Sequence, residues 1–198
     1  TGLSAALHLS ERGYSVSLLD AHRVGWGASG RNGGQVGTGQ RVAQDELEQK
    51  VDRGLAHAAW QIAQEAKALV KDLIARHQIP CDYQKGSIHA NHRRRYDRHS
   101  QRFAELLNEK YDYDQIRYVP PDEMQTLVGC RDYSAGTLDM GAGHLHPLNY
   151  ALGIARAAMA AGADIFEHSE VTRIDLGEPA RLHTTHGCLT ARYVLYAC

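Results

Sequence analysis

One acidic residue closing an apolar run, with five glycines close behind it, carries most of the chemistry in this sequence. The run is Ser17-Leu18-Leu19-Asp20, and the glycines are Gly25, Gly27, Gly30, Gly33 and Gly34, interleaved with Trp26, Ala28, Ser29, Arg31 and Asn32 and followed by Gln35. A carboxylate at Asp20 can accept both hydrogens of a ribose diol. Glycines let backbone N–H groups approach phosphate oxygens with no Cβ in the way. The chemistry implied is the gripping of a dinucleotide, against the alternative that Asp20 is an ordinary acid at a strand end.

The preceding residues are those that would position such a site. Leu3, Ala6, Leu7 and Ser10 fall on one helical stripe and Gly13 stops it, so a helix leads into the strand that ends at Asp20. In a βαβ unit Gly2 is the last glycine of G-x-G-x-x-G, the one that lets helix and strand pack closely. Counting back, the first glycine of that motif falls about 20 residues before Asp20, the spacing of the fingerprint. The chain is therefore expected to begin inside a motif. It is also expected to end inside a strand, since Tyr193 to Ala197 is apolar on both faces, as in the middle of a parallel sheet.

With 198 residues, 43% of them apolar, the chain can bury a sizeable core, and its net charge of −1 gives no general attraction for nucleic acid or an anionic membrane. The basic run from His92 to His99 reads as a solvated helix face, with an anion patch as the alternative. Cys81, Cys130, Cys188 and Cys198 form no C-x-x-C pair, which fits reduced thiols and a cytoplasmic location. No signal peptide or membrane span is visible.

Between Asp45 and His77 the apolar positions Leu47, Val51, Leu55, Ala58, Ile62, Ala66, Leu69 and Leu73 recur at helical steps, as one amphipathic helix or two joined near Gly54. Strands are expected over 86–90, 115–119 and 135–140, the last running into a turn at Gly141-Ala142-Gly143. A charged helix spans His92 to Lys110 with Phe103, Leu106 and Leu107 inward, and a short one follows Pro120. Pro147 opens a helix that ends at Gly162, and a strand returns over 164–167. Three short β runs follow, 171–174, 181–184 and 188–192, with a turn at His186-Gly187. The fold class is α/β, an interrupted Rossmann-like dinucleotide fold with a parallel sheet and a small β-meander. Residues 1–40 are its first part and 147–198 its return, and 41–146 form an inserted α+β segment.

On Gly2 to Asp20, on Gly27 to Gln35 (GASGRNGGQ), and on Gly143-His144-Leu145-His146-Pro147 through Val171 to the terminal YVLYAC, the chain resembles the FAD-dependent oxidoreductases of the D-amino-acid oxidase superfamily. Within it the branch of gamma-glutamylputrescine oxidase-like amine oxidases is the most similar, and the chain matches about its N-terminal half. The resemblance implies FAD as cofactor and the inserted segment as part of a substrate lobe. It implies that Gly2 supports the pyrophosphate turn, that Asp20 binds the adenosine ribose, and that Ala28 and Ser29 meet the phosphates. Arg31, Asn32, Gly33, Gly34 and Gln35 would pass near the flavin ring, and Val171 would read adenine through its backbone. Ala197 and Cys198 would lie close to the cofactor. The implied reaction is oxidation of a C–N bond in a small-molecule amine, with O2 or another electron acceptor. A D-amino-acid dehydrogenase, a tRNA-modifying relative and a catalytically silent fragment are the alternatives.

Catalytic residues are not identified beyond two weak candidates. Arg31 would place a cation near the reduced flavin or turn to solvent, and His146 would accept a proton or only cap the helix behind it. Tyr83, Tyr96, Tyr111, Tyr113 and Tyr118 would form a cage for a cationic amine or pack as half-buried rings. His144 and His146 lack a partner that completes a metal set.

Overall fold

A computed structural model of the chain describes residues 1–197. In chain order its elements are α1 (Gly2–Glu11), β1 (Ser17–Leu19), β2 (Gln35–Val36), α2 (Gln44–Lys50), α3 (Arg53–Arg76), β3 (Gln84–Ala90), α4 (Asp97–Tyr111), β4 (Ile116–Val119), α5 (Pro121–Val128), β5 (Gly136–His144), α6 (Pro147–Ala160), β6 (Asp164–Phe166), β7 (Val171–Asp175), β8 (Ala180–Thr184) and β9 (Gly187–Ala191). They divide into two compact units. The first holds Thr1–Gly33, Leu73–Cys81 and the chain from His146 onward, and the second holds Gly34–Asp72 and Asp82–Leu145.

In the first unit α1 buries Ala6, Leu7 and Ser10, and Gly13 leaves it at φ 82°, a conformation open to glycine at little cost. Leu7 is fully buried, so truncating it to alanine is worth about 2–5 kcal/mol. Strand β1 pairs in parallel with β6, Ser17 opposite Asp164 and Leu19 opposite Phe166. Helix α6 opens on Pro147 and buries the small residues Ala151, Ala155 and Ala158 with Ile154. A Cβ added at Gly153 would lie 2.2 Å from Ile79 Cγ2, so that glycine sets how closely the 73–81 segment approaches the helix. β7, β8 and β9 form an antiparallel meander.

Two details of this unit differ from the sequence pattern. The last turn sits one residue early, on Thr185 and His186, because the Thr184 hydroxyl accepts from the N–H groups of both His186 and Gly187. Residues 193–197 are not a strand. A strand needs a neighbour whose amides and carbonyls face it, and among the described residues β1 and β6 pair only with each other. Tyr193 is accordingly 84% exposed, despite its apolar company.

The second unit is built on β5. β3 runs antiparallel to it from Gln84 opposite His144 to Ala90 opposite Gly136, and both β2 and β4 also pair with it antiparallel. The expected glycine turn is absent, because β5 continues through Gly141 and Gly143. Those glycines admit tyrosines instead. A Cβ at Gly141 would lie 2.0 Å from Tyr113 Oη, and one at Gly143 2.6 Å from Tyr83 Oη.

The long apolar pattern resolves into two helices. Asp52 Oδ1 accepts from the N–H groups of Gly54 and Leu55 and starts α3 afresh. The buried face of α3 is also not the expected one. Leu55 and Ile62 are 60% and 62% exposed, and Leu69 is exposed too, whereas Ala56, Trp60 and Lys67 are buried. Trp60 packs with Ala104, Leu107, Tyr111, Tyr113 and Ile116, against which Phe103, Leu106 and Tyr118 rest. Tyr111 and Tyr113 are therefore packing residues, their ring centroids 5.0 and 5.4 Å from that of Trp60.

Candidate functional site

Asp20 stands just beyond β1. Its N–H donates to Phe166 O at 2.9 Å, and its own carbonyl accepts from Ser169 N–H at 2.8 Å, two residues before Val171 opens β7. The ladder that fixes β1 thus fixes Asp20 and the approach to Val171. One carboxylate oxygen accepts from His22 N–H at 2.8 Å and turns the chain outward. Glu167 Oε1 accepts from Val24 N–H at 2.8 Å and holds the start of the glycine loop.

The loop is shaped by close approach. A Cβ at Gly30 would fall 2.1 Å from the Gly25 carbonyl oxygen and 3.0 Å from Leu148 Cδ1, and Gly25 itself has φ 74°. Any larger residue at Gly30 would push the loop off α6. Between these two glycines, Ala28 and Ser29 sit exposed in a single 3-10 turn whose ends are joined by Gly30 N–H to Gly27 O and Arg31 N–H to Ala28 O. Asn32 Nδ2 donates to the carbonyls of Ala28 and Ser29 at 2.9 and 3.2 Å. The Arg31 guanidinium lies 4.8 Å from the Trp26 ring centroid, and that ring is 3.8 Å from His22.

Gly2 and Ala197, far apart in sequence, come together. A Cβ on Gly2 would lie 3.2 Å from Ala197 Cβ and 3.7 Å from Leu18 Cδ1, so helix, strand and tail meet where only a hydrogen fits comfortably. Gly33 closes the first unit's share of the loop, while Gly34 and Gln35 belong to the second unit. There Gly34 O accepts from Leu145 N–H, and Gln35 faces His144 across the ladder. His146 is the N-cap of α6, its Nδ1 accepting from Asn149 N–H at 3.3 Å, which leaves Nε2 for other partners. Cys198 lies outside the described residues. A carboxylate at a strand end can accept from a ribose diol, and a turn of small exposed residues with a close-packed Gly2 leaves room for phosphates, so the residues present fit FAD.

Sequence reading missed a cluster in the second unit. The Lys67 ammonium, 8% exposed, donates to Thr38 Oγ1 at 2.8 Å and to Tyr113 Oη at 3.1 Å. Tyr113 Oη donates to Asp139 Oδ1 at 2.6 Å, and the same oxygen accepts from the N–H groups of Gly141 and Ala142. Burial, then the bond to Asp139, pushes the Tyr113 phenol up from its ordinary range. Burial pushes the Lys67 ammonium down, with Asp139 opposing and Lys71 adding to it. The one sequence signal was a lysine seven residues after Trp60, on the face that Trp60 marks.

Comparison with known proteins finds matches along the whole chain. The family described as DAO, FAD dependent oxidoreductase, matches residues 1–198. The chain is 37% identical over 199 residues to the probable oxidoreductase OrdL of Rhizobium meliloti (strain 1021), covering 100% of this chain and 46% of that protein. It is 35% identical over 202 residues to gamma-glutamylputrescine oxidoreductase of Escherichia coli (strain K12), again covering 100% and 46%. The chain thus spans about half the length of these relatives. Among solved structures, glycine oxidase from Geobacillus kaustophilus superimposes with a TM-score of 0.78 at 21% identity, covering 96% of this chain and 50% of that one, which shows a shared fold. The chain belongs to the DAO family of FAD-dependent oxidoreductases.

Proposed function

We propose that the full-length protein oxidises the C–N bond of a primary or secondary amine of the gamma-glutamylputrescine type. A primary amine, O2 and water would give aldehyde, ammonia and hydrogen peroxide. The observation that supports this reading is a carboxylate fixed just past β1 and followed along the chain by the exposed Ala28 and Ser29 of a single turn, in a chain 35% identical to a gamma-glutamylputrescine oxidoreductase. Bound FAD supplies the two-electron acceptor for the hydride equivalent that leaves the carbon next to nitrogen.

The residues of this chain bind and orient. Asp20, with one oxygen held by His22 N–H, offers the other to the ribose diol. Gly2 keeps the pyrophosphate turn close to Ala197. Ala28 and Ser29 stand by the phosphates without bulk. Arg31, Asn32, Gly33, Gly34 and Gln35 line the approach to the ring, where the Arg31 guanidinium adds positive charge. Val171 meets adenine through its backbone, and His146, whose Nδ1 lone pair caps α6, carries its ring hydrogen on Nε2 and so donates on the substrate side rather than accepting a proton.

Among the described residues no helix is long and apolar enough to cross a membrane. Cys130 and Cys188 are free thiols, which supports a cytoplasmic setting. The test is to purify the full-length protein and measure peroxide release with gamma-glutamylputrescine, putrescine and D-amino acids. Flavin-dependent peroxide from the first two supports the reading. Reduction of an artificial electron acceptor by D-amino acids, without peroxide, moves the protein to the dehydrogenase branch, and a protein without flavin removes the assignment. Residues 1–198 expressed alone are expected to lose flavin on gel filtration, because among the described residues β1 and β6 pair only with each other and offer unpaired edges.

A further inference from the structure

Between Val36 and Gln40 the chain reads Gly37-Thr38-Gly39, so Thr38 is the one residue there with a side chain to hold. This segment follows β2, a strand of only two residues, Gln35–Val36, whose ladder to β5 is the pair Gln35–His144 and Val36–Gly143. Two rungs are a weak constraint for a stretch entered through Gly33 and Gly34 and left through Gly37 and Gly39, since each glycine adds backbone freedom that must be frozen out. Something else must fix where Gln35 stands.

The Thr38 hydroxyl lies 2.8 Å from Lys67 Nζ and 3.0 Å from Tyr113 Oη. Counting hydrogens settles the direction of every bond. Tyr113 has one O–H, and it goes to Asp139, an acceptor only. Tyr113 Oη must then accept from the Thr38 hydroxyl as well as from Lys67, and Thr38 Oγ1 accepts from Lys67 in turn. Asp139 is itself locked onto β5 by the N–H groups of Gly141 and Ala142. One turn further along α3, Lys71 Nζ donates to Gly141 O at 2.7 Å and grips the same stretch.

We propose that Lys67, with Tyr113 and Asp139, is a positioning group that clamps Thr38 and so sets the register of Gln35 against β5, fixing the face that Gly34 and Gln35 present to the flavin ring. The clamp rests on the functional reading above, because the place of Gln35 beside the ring comes from it. A charged pair split by a phenol suits this task. Its members gain full hydrogen bonding only in one arrangement, so a slipped β2 would strand a buried ammonium. An apolar residue at 67 would fill the space without choosing a register.

The experiment uses the full-length flavoprotein with Thr38→Val, Thr38→Ser, Lys67→Met and Lys67→Arg. Thr38→Val and Lys67→Met are expected to shift the visible absorption bands of the bound flavin and weaken FAD binding about tenfold, with far-UV dichroism unchanged. Thr38→Ser is expected to restore both readouts, and Lys67→Arg to restore part. A flavin spectrum and FAD affinity within about twofold of wild type in Thr38→Val overturns the clamp, whatever happens to stability. Loss of folding in Lys67→Met leaves the decision to the Thr38 pair, which removes no charge. A wild-type protein that holds no flavin overturns the functional reading instead, on a separate readout.

Discussion

The Asp20 loop and the Lys67 cluster are both polar constellations, yet they are built in opposite ways. Around Asp20 the backbone does the positioning: a ladder bond to Phe166, a turn to His22 and two glycines pressed together leave Ala28, Ser29 and Arg31 exposed. Around Lys67 the side chains do it, each bonded to the next from the half-buried Thr38 to the buried Asp139. A surface meant for a ligand keeps its groups available and spends rigidity on the main chain. A support keeps nothing available, because an unpaired polar group inside is costly.

The largest effect should come from breaking the support at its anion. Asp139→Ala leaves the Lys67 ammonium without its balancing carboxylate in a buried site, and the loss is expected at about 3–5 kcal/mol. A chemical-denaturation midpoint on the full-length protein checks it. If Asp139→Ala costs no more than an average surface change, the cluster is solvated and the contrast with the Asp20 loop disappears.

Asp20→Ala should do the reverse, sparing the fold and losing the ligand. A carboxylate bonded to a ribose diol is worth about 1.5–3 kcal/mol, so FAD affinity should fall roughly ten- to hundredfold. Loss of the turn to His22 should cost stability about 1 kcal/mol or less. Flavin titration alongside the unfolding midpoint separates the two, and Asp20→Asn, which keeps the turn, should recover stability more than affinity.

Gly141→Ala tests the closeness of Tyr113 to β5. The added Cβ meets Tyr113 Oη at 2.0 Å, and the strand or the ring must move, for about 1–3 kcal/mol. This position also shows what sequence could and could not disclose. The Asp20 loop was legible as a candidate dinucleotide site because the needs of such a site are local: an acid at a strand end and glycines in fixed order are visible in the letters themselves. Gly141 and Gly143 are the same letters used for close approach across a sheet, and their purpose depends on Tyr113 and Tyr83, which other parts of the chain supply. Residues 193–197 were misread for a related reason, since an apolar run becomes a strand only when a neighbour pairs with it.

A smaller, pH-dependent effect follows from Tyr113. In the unfolded chain its phenol ionises near the ordinary value of about 10, while burial and Asp139 hold it protonated beyond that when folded. The folded pKa is the higher one, so this contribution is whole below about pH 10 and is lost as pH rises further. Lys67 acts in the opposite sense, since its folded pKa is the lower one, and its ammonium costs least once it is deprotonated. Unfolding midpoints of wild type and Tyr113→Phe between about pH 8 and 11 should converge as the pH rises, provided the phenol governs the slope. Parallel curves would mean that Tyr113 does not feel its burial.

The smallest expected effect is on the apolar face of α3. By its letters, Leu55, Ile62 and Leu69 form a hydrophobic stripe, and it was natural to turn that stripe inward. The helix instead turns inward the face bearing Ala56, Trp60 and Lys67, because the aromatic cluster at Tyr111 and Tyr113 fits the indole and Thr38 Oγ1 and Tyr113 Oη satisfy the lysine. A buried lysine reads as surface, and that one letter shifted the phase of the whole helix. Ile62→Gln should therefore change the unfolding midpoint by no more than about 0.5 kcal/mol, while Trp60→Ala, two residues away, should cost about 3–5 kcal/mol. Equal losses from the two would place both faces of α3 in apolar contact, and the side-chain support around Lys67 would lose its claim to have chosen the orientation of the helix.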